Sequence, residues 1–429
     1  MSINALAAFA ANTRAETERQ ADAVALHTAD TLAVLAGALG VHEPAAVARF
    51  FRSGDRAASV AGISAAIRSS ECDDIHVPSC MTAGSIAVPV ALEFAQDEAS
   101  YTAAVQAAYA TGIALCEAVG GVEALAHGVW PSILAAPAVA AVACSVALGG
   151  DERAIGNALA LALAGSSGRI GRPGGSPSGR WLLYGQAVCK GIRAALAARE
   201  GFCGDTGLIS DTWLLQQTAA DLARLGALQA PIANPVARVG LKPFVAARQG
   251  SNAIQAFVAL LDRGLDPRAI ERVDVVLPPV VLPVVSRPLD LENRLSTIAH
   301  LGLQFGIAAF ERDRLLDIAR ECPFDARSLA LAQKVNLAAD PDFAKGPEGT
   351  WRARVRVRAG TAEVEEECDL LCGDPLDGGQ AGLVRDKAAW FCGAAGLPDT
   401  LETFADQRRL YDKLKVDSGQ AHMQSTVSA

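Results

Sequence analysis

From its start to about residue 240 the chain repeats one pattern: apolar positions recur at helical spacing and glycine-rich stretches interrupt them. Residues 18–39, ERQADAVALHTADTLAVLAGAL, carry the pattern up to Gly40. Segments 86–98, 102–120, 131–149, 152–166, 182–200 and 211–226 repeat it. The stretch GRIGRPGGSPSGR at 168–180 is too long and too rich in glycine and arginine to be a tight connector. Long loops in compact domains serve as lids or binding segments, the plain alternative being a flexible surface loop. Beyond residue 240 the period changes. A helix over 252–261 is followed by GLDPRAIERVDVVLPP, which turns into a strand around Val273–Leu277. Residues Arg352–Arg358 alternate with period two, and a turn near Gly360 leads into Thr361–Glu367, so arginines on one strand face glutamates on the next. That is a solvated hairpin face rather than a binding patch. Helix returns over 383–395 and 398–417. The pattern predicts a mostly α protein with a second α+β domain: a helical domain over 1–240 and 376–429, and an α+β domain over 241–375. No internal repeat or coiled-coil heptad stands out.

Composition narrows the class. The chain has 429 residues, 51% of them hydrophobic and 20% charged, which builds cores rather than disorder. Much of the apolar content is alanine, which favours close-packed helices with small contact faces. The net charge of −9 argues against nucleic acid as a partner. Residues Ser132–Gly150 carry no charge and imitate a membrane span, but alanine dominates them, Pro137 interrupts them and they end Gly-Gly. They read as a buried central helix, and no membrane partner is expected. Ten cysteines occur without C-x-x-C spacing or neighbouring histidine pairs, so free buried thiols are expected and no metal site. The first residues lack a basic region followed by a continuous apolar core, which reads as a cytoplasmic protein. There are only six histidines, the usual acid/base residue near neutral pH, so any mechanism has few to draw on.

Four landmarks stand in order. The first is Asp73-Asp74-Ile75-His76-x-Pro, followed by Thr82-Ala-Gly-Ser and the apolar run IAVPVAL. The second is Gly128-Val-Trp-Pro-Ser132, entering the long alanine-rich helix. The third is Arg180-Trp-Leu-Leu-Tyr-Gly185-Gln-Ala, then a helix ending Glu200-Gly-Phe-Cys-Gly204. The fourth is Leu241-Lys-Pro-Phe244, a helix, and Gly-Leu-Asp-Pro-x-x-Ile-Glu-x-Val. In this order and spacing they resemble the MmgE/PrpD family, which includes 2-methylcitrate dehydratase, cis-aconitate decarboxylase and iminodisuccinate epimerase. The likeness runs from about residue 20 to 395 and takes in the Val-x-x-x-x-Asp-Pro-Asp stretch at 335–342 and Gly373-Asp-Pro375.

The resemblance implies a helical domain with an α+β lid, a homodimer, and an active site between domain and lid. It implies chemistry without an organic cofactor on a small-molecule substrate. Such enzymes remove a proton next to a carboxylate of a small polycarboxylate, then lose water or CO2 or reprotonate. That chemistry needs Arg or Lys for the carboxylates, a positioned base, and preorganised donors or cations for the enolate-like charge. A lid would exclude water.

Carried over residue by residue, the resemblance is mixed. The acidic motif is present as Asp73 and Asp74, with Glu71 in place of an earlier aspartate. The family's His-Pro-Gly or His-Pro-Ser reads Thr82-Ala83-Gly84, and its Gly-aromatic-His-Pro-Thr reads Gly128-Val129-Trp130-Pro131-Ser132. Two family histidines are therefore absent. The family's next lysine is Arg180, and the histidine after it is Leu183. The lysine that opens the lid is retained as Lys242. A later histidine matches Ser251, and a lid tyrosine matches Phe305. The joint replacement by Thr82, Trp130 and Phe305 implies a pocket less polar than one for a tricarboxylate, suited to an intermediate of specialised metabolism.

The candidates follow. Asp73, His76, Lys242 and Tyr184 carry the catalytic expectation, with His76 as a base tuned by Asp73 or Asp74. Glu71, Asp74, Thr82, Trp130, Arg169, Arg180 and Phe305 carry substrate binding. Against these stand structural readings: a buried structural His76, aspartates that cap a helix, arginines of a solvated loop at 169 and 172, and a tyrosine that packs. His127 and His300 are substitutes to consider for the missing histidines, while His27, His42 and His422 have no local signal. Use of Cys80 as a nucleophile would need a lowered pKa. Three functions remain open: a cofactor-free lyase or isomerase with His76 or Asp73 as base and Lys242 with Arg180 as anion clamp; a cyclase or other shape-directed catalyst with Trp130 and Phe305 lining an apolar pocket; and a non-catalytic binding or scaffold protein.

Overall fold

The computed structural model describes residues 2–13, 18–52, 55–170, 179–210, 234–341, 343, 350–398 and 400–420. The helix expected over 211–226, and Arg172, lie outside the described residues. The chain forms two compact units, Met1–Val239 with Val384–Ala429, and Gly240–Leu383.

The first unit is helical: α1 (Ile3–Asn12), α2 (Glu18–Leu39), α3 (His42–Phe51), α4 (Arg56–Ser69), α5 (Gly84–Phe94), α6 (Glu98–Ala118), α7 (Pro131–Ala147), α8 (Glu152–Leu163) and α9 (Arg180–Arg199). Local chemistry starts several of them. Asp55, Asp97 and Asp151 each accept a backbone N–H from the first turn of α4, α6 and α8. Helix α7 is the centre, packed against α5, α6, α8 and α9. All but one of its 17 residues are buried. The span-like segment is therefore a core helix, as its alanine content predicts. Small side chains let the axes approach: a methyl at Gly191 of α9 would run into the Pro137 carbonyl of α7, and one at Gly185 into the Phe51 ring of α3. Among the described residues one helical stretch, Arg19–Leu39, is long and apolar enough to cross a membrane, and 67% of its apolar window is buried in the fold.

The second unit holds α10 (Arg248–Asp262), β1 (Ile270–Leu277), α11 (Leu282–Val285), α12 (Arg294–Ala299), α13 (Leu301–Phe310), α14 (Ala326–Ala332), β2 (Val335–Ala339), β3 (Ala353–Ala359) and β4 (Ala362–Cys368). The sheet order is β2-β1-β3-β4, with β1 parallel to β2 and antiparallel to β3. The expected hairpin is β3–β4, turning at Gly360 with φ 60°. Ala353, Val355 and Val357 are buried, while Arg354 and Arg356 pair with Glu367 and Glu365 on the solvent side. Strand β2 was not read as a strand from the sequence, because its alternation is weak and it runs along the sheet edge. Helix α10 packs on β3 and β4.

The chain closes with α15 (Gln380–Ala394) and α16 (Phe404–Gln420). The last helix begins later than the expected residue 398. Thr403 accepts the Asp406 N–H and starts it, and the preceding Pro398 and threonines stay outside. All ten cysteines are free, Cys203 and Cys322 exposed, Cys80 and Cys372 intermediate, and the other six buried.

Candidate active site

The loop between α4 and α5, residues 70–83, organises the site. Arg68, in the last turn of α4, is buried and pairs with Glu71 at 2.9 Å and Asp73 at 3.4 Å. Glu71 takes φ 59°, a left-handed conformation disfavoured for a side-chain residue, as the loop turns back on the helix end. Burial alone would lower the Arg68 pKa, but Asp73 and Glu71 overbalance it, so the guanidinium stays charged.

Two tryptophans flank this arginine. Its guanidinium lies 5.8 Å from the Trp130 ring and 5.5 Å from the Trp181 ring. Arg180, the first residue of α9, lies 4.4 Å from Trp130 and 5.5 Å from Trp181. Two cations and two indoles thus interleave, an arrangement that holds guanidinium planes in a dry setting. Trp130 is the N-cap residue of α7, and its backbone N–H donates to the Gly168 carbonyl at 2.9 Å.

Hydroxyl groups line the same region. Ser85 donates to the Thr82 carbonyl at 3.0 Å, so the Tyr184 hydroxyl, 2.7 Å from Ser85 Oγ, donates to Ser85. Burial, and then the charge of Asp73, hold the Tyr184 pKa above that of an ordinary phenol. Thr82 donates to Ser132 at 3.4 Å, and Ser132 to the Cys80 carbonyl at 3.0 Å. The first turns of α5, α7 and α9 and the last turn of α4 therefore share one buried polar cluster. Helix N-termini favour anions.

Of the sequence candidates, Glu71, Asp73, Thr82, Trp130, Arg180 and Tyr184 come together here. Asp74 turns the other way. Its carboxylate accepts the Gly84 N–H at 3.0 Å and the Tyr109 hydroxyl at 2.6 Å, and lies 3.0 Å from His27 Nδ1. It caps α5, whose own N-cap residue, Ala83, has no polar side chain. His76 also differs from expectation. Its ring Nδ1 lies 2.8 Å from Ser79 Oγ rather than on either aspartate. Burial, with a contribution from Arg238, lowers its pKa to about 4, opposite to what a carboxylate neighbour does.

Arg169 is exposed, and its guanidinium donates to the His127 carbonyl at 3.3 Å. His127 is itself exposed in the short 3-10 turn Gly121–His127. Lys242 and Phe305 belong to the second unit. Lys242 is buried next to Leu241, whose N–H donates to Gly373 at 2.9 Å. The Phe305 ring stacks flat on Phe257, centroids 4.5 Å apart, which is core packing within that unit. His300 caps α13 through Nδ1, accepting the Leu303 N–H at 3.0 Å.

Sequence reasoning missed Arg68, Trp181, Ser85 and Ser132. Trp181, Ser85 and Ser132 lie inside the landmark motifs themselves and Arg68 five residues before Asp73, which is the signal that was available. It also passed over His27, and nothing in the sequence links Lys387 to the Asp73 loop. Among the described residues no group of three or more His, Cys, Asp or Glu is placed to hold a metal ion.

The MmgE/PrpD N-terminal domain family matches residues 4–225, the stretch that supplies this cluster. The match covers just over half of the chain, and the chain belongs to the MmgE/PrpD family. No curated protein matches it.

Proposed function

We propose that this protein is a cofactor-independent lyase or isomerase that acts next to a carboxylate or carbonyl of a small organic acid. MmgE/PrpD membership supports the dehydratase or lyase class. The observation that carries the finer reading is the cluster of Asp73, Tyr184, Arg68, Arg180, Trp130 and Trp181 where α7 and α9 begin and α4 ends.

In this reading Arg180 binds a substrate carboxylate, with the first turns of α7 and α9 adding partial positive charge. Asp73 takes the proton from the carbon next to the acid group. The electron pair moves into the carbonyl, and the developing oxyanion meets Arg180 and the Tyr184 hydroxyl, whose proton turns from Ser85 Oγ to the oxyanion. Collapse of the enolate expels a β-hydroxyl group, which leaves as water by taking the proton that Asp73 removed, or that proton returns to the same carbon. In a decarboxylation the enolate forms instead as CO2 leaves with the C–C bond pair staying on carbon, and a proton from solvent then adds to that carbon. Arg68 keeps Asp73 ionised while its own charge is offset by Glu71. His76 takes no part in this reading, because its Nδ1 is engaged by Ser79 Oγ at 2.8 Å. A homodimer, the state the resemblance implies, would be read by analytical ultracentrifugation.

The indoles of Trp130 and Trp181 favour a substrate with a flat apolar part and fewer charges than a tricarboxylate. The same two rings favour, as a second reading, a shape-directed cyclase on a specialised-metabolism intermediate. The test is exchange of carbon-bound hydrogen in D2O, followed by proton NMR across monocarboxylic, dicarboxylic and β-keto acids. Exchange lost in Asp73→Asn supports the reading. Exchange retained in that variant overturns Asp73 as base, and tight calorimetric binding of citrate-like tricarboxylates overturns the less polar pocket.

A further inference from the structure

Beneath Asp73 lies a second polar cluster that the proposed chemistry does not use. Lys387 of α15 is completely buried; its ammonium group sits 2.6 Å from Asp30 Oδ1 of α2 and donates to the Cys72 carbonyl at 2.9 Å. On the other side of Asp73, the Asp74 carboxylate is held by His27 of α2, Tyr109 of α6 and the Gly84 N–H of α5. His27, Asp30, Asp74 and Tyr109 are each 1% exposed or less. Nε2 of His27 has no hydrogen-bond partner, so among the described residues Asp74 is the ring's polar tie. A methyl group at Gly84 would lie 2.8 Å from both Asp74 Oδ2 and the Tyr109 hydroxyl, so the fit leaves no slack.

We propose that Asp30, Lys387, His27, Asp74 and Tyr109 form a positioning unit that clamps the peptide on both sides of Asp73 and aims its carboxylate at Arg68 and Tyr184. The inference rests on Asp73 being the base. Two features separate it from ordinary core filling. Both grips fall on the residues next to Asp73, one on a backbone carbonyl and one on a side chain. Burying five polar groups without function is also costly, since apolar residues of similar size fill such space more cheaply.

The unit also sets the charge around the base. Asp73 is faced by Arg68 of α4, Glu71 of its own loop, Tyr184 of α9 and Lys387 of α15. Behind Asp74 stand Asp30 and His27 of α2 and Tyr109 of α6. Burial alone would lower the Lys387 pKa, but Asp30 first, and Asp73 among the smaller contributors, hold it above its ordinary value. Lys387 therefore carries a fixed positive charge that favours ionised Asp73.

The test uses the full chain with aspartate carboxyl carbons labelled with 13C, the Asp73 signal being assigned by its loss in Asp73→Asn. In the paired variant Asp30→Asn with Lys387→Met, which removes the cation coupled to Asp73 without stranding the Asp30 charge, the Asp73 titration midpoint should rise, and the acid limb of the exchange pH profile should rise with it. Lys387→Arg, which keeps the charge, should leave the midpoint near that of the parent. His27→Gln and Tyr109→Phe each remove one bond to Asp74; kcat should fall roughly tenfold with KM nearly unchanged. A folded paired variant with an unmoved Asp73 midpoint overturns the proposal, as does unchanged kcat in both single variants. Should Asp73→Asn still catalyse exchange, the proposed function fails instead, and the NMR midpoint still reports on the positioning unit.

Discussion

Two regions of this protein pair arginine or lysine with carboxylates, and they do so with opposite consequences. On the β3–β4 hairpin, Arg354 and Arg356 face Glu367 and Glu365 in ion pairs whose side chains are 36–52% exposed. Around Asp73, Arg68 and Lys387 hold Glu71, Asp73 and Asp30 with side chains no more than 11% exposed. Both sets join a basic to an acidic side chain. Water screens the first set, so each pair adds at most about 1 kcal/mol and any one can be lost. In the second set no water replaces a missing partner, so removing one group leaves a buried charge. Exposure, rather than the count of ion pairs, tells which charges are held for a purpose.

Asp73→Asn should lower exchange by about 10²–10⁴-fold, the range for removing a general base. Lys387→Met should cost about 3–5 kcal/mol in urea unfolding because Asp30 is stranded, and Asp30→Asn added to it should recover much of the loss. Equal stabilities of the single and paired variants would contradict that account.

A pH effect comes next. The folded-state pKa of His76, about 4, lies below the 6.5 of an unfolded histidine. The unfolded chain therefore binds the proton first, and stability is lost as pH falls from 6.5 towards 4. The slope amounts to about 3 kcal/mol over that window. His76→Gln should flatten it in melts recorded between pH 4 and 7. At the weak end, Arg356→Ala should change stability by about 0.5 kcal/mol or less, and its effect should fade in high salt. A larger effect would show that the hairpin pairs are more than a solvated face.

Legibility in the sequence followed the same division. The arginine-glutamate hairpin was readable because a strand and its neighbour carry their pairing in a period of two. The buried α7 was readable because an uncharged alanine-rich run with Pro137 suits a core better than a bilayer. Glu71, Asp73, Thr82, Trp130, Arg180 and Tyr184 were readable because they sit in short motifs in the loop after α4 and at the starts of α7 and α9. His76 was misassigned its partner. Proximity in sequence to two aspartates suggested a carboxylate-tuned base, but the loop turns so that Ser79 holds the ring and Asp74 faces α2 and α6. Phe305, expected to line a pocket, lies flat on Phe257 instead.

The sequence by itself determined the helical and strand periods, the capping aspartates, the family and the small set of charged residues near residue 73. Those depend on neighbours within one or two turns. Only the tertiary structure decided that Lys387 reaches the Cys72 carbonyl, 315 residues away, and that His27 and Tyr109 close on Asp74. It also decided that two tryptophans interleave with two arginines. Such contacts arise where helices distant in sequence meet at fixed axial offsets. A local pattern carries no record of those offsets, so the residues that hold the candidate base in place were invisible until the helices were packed.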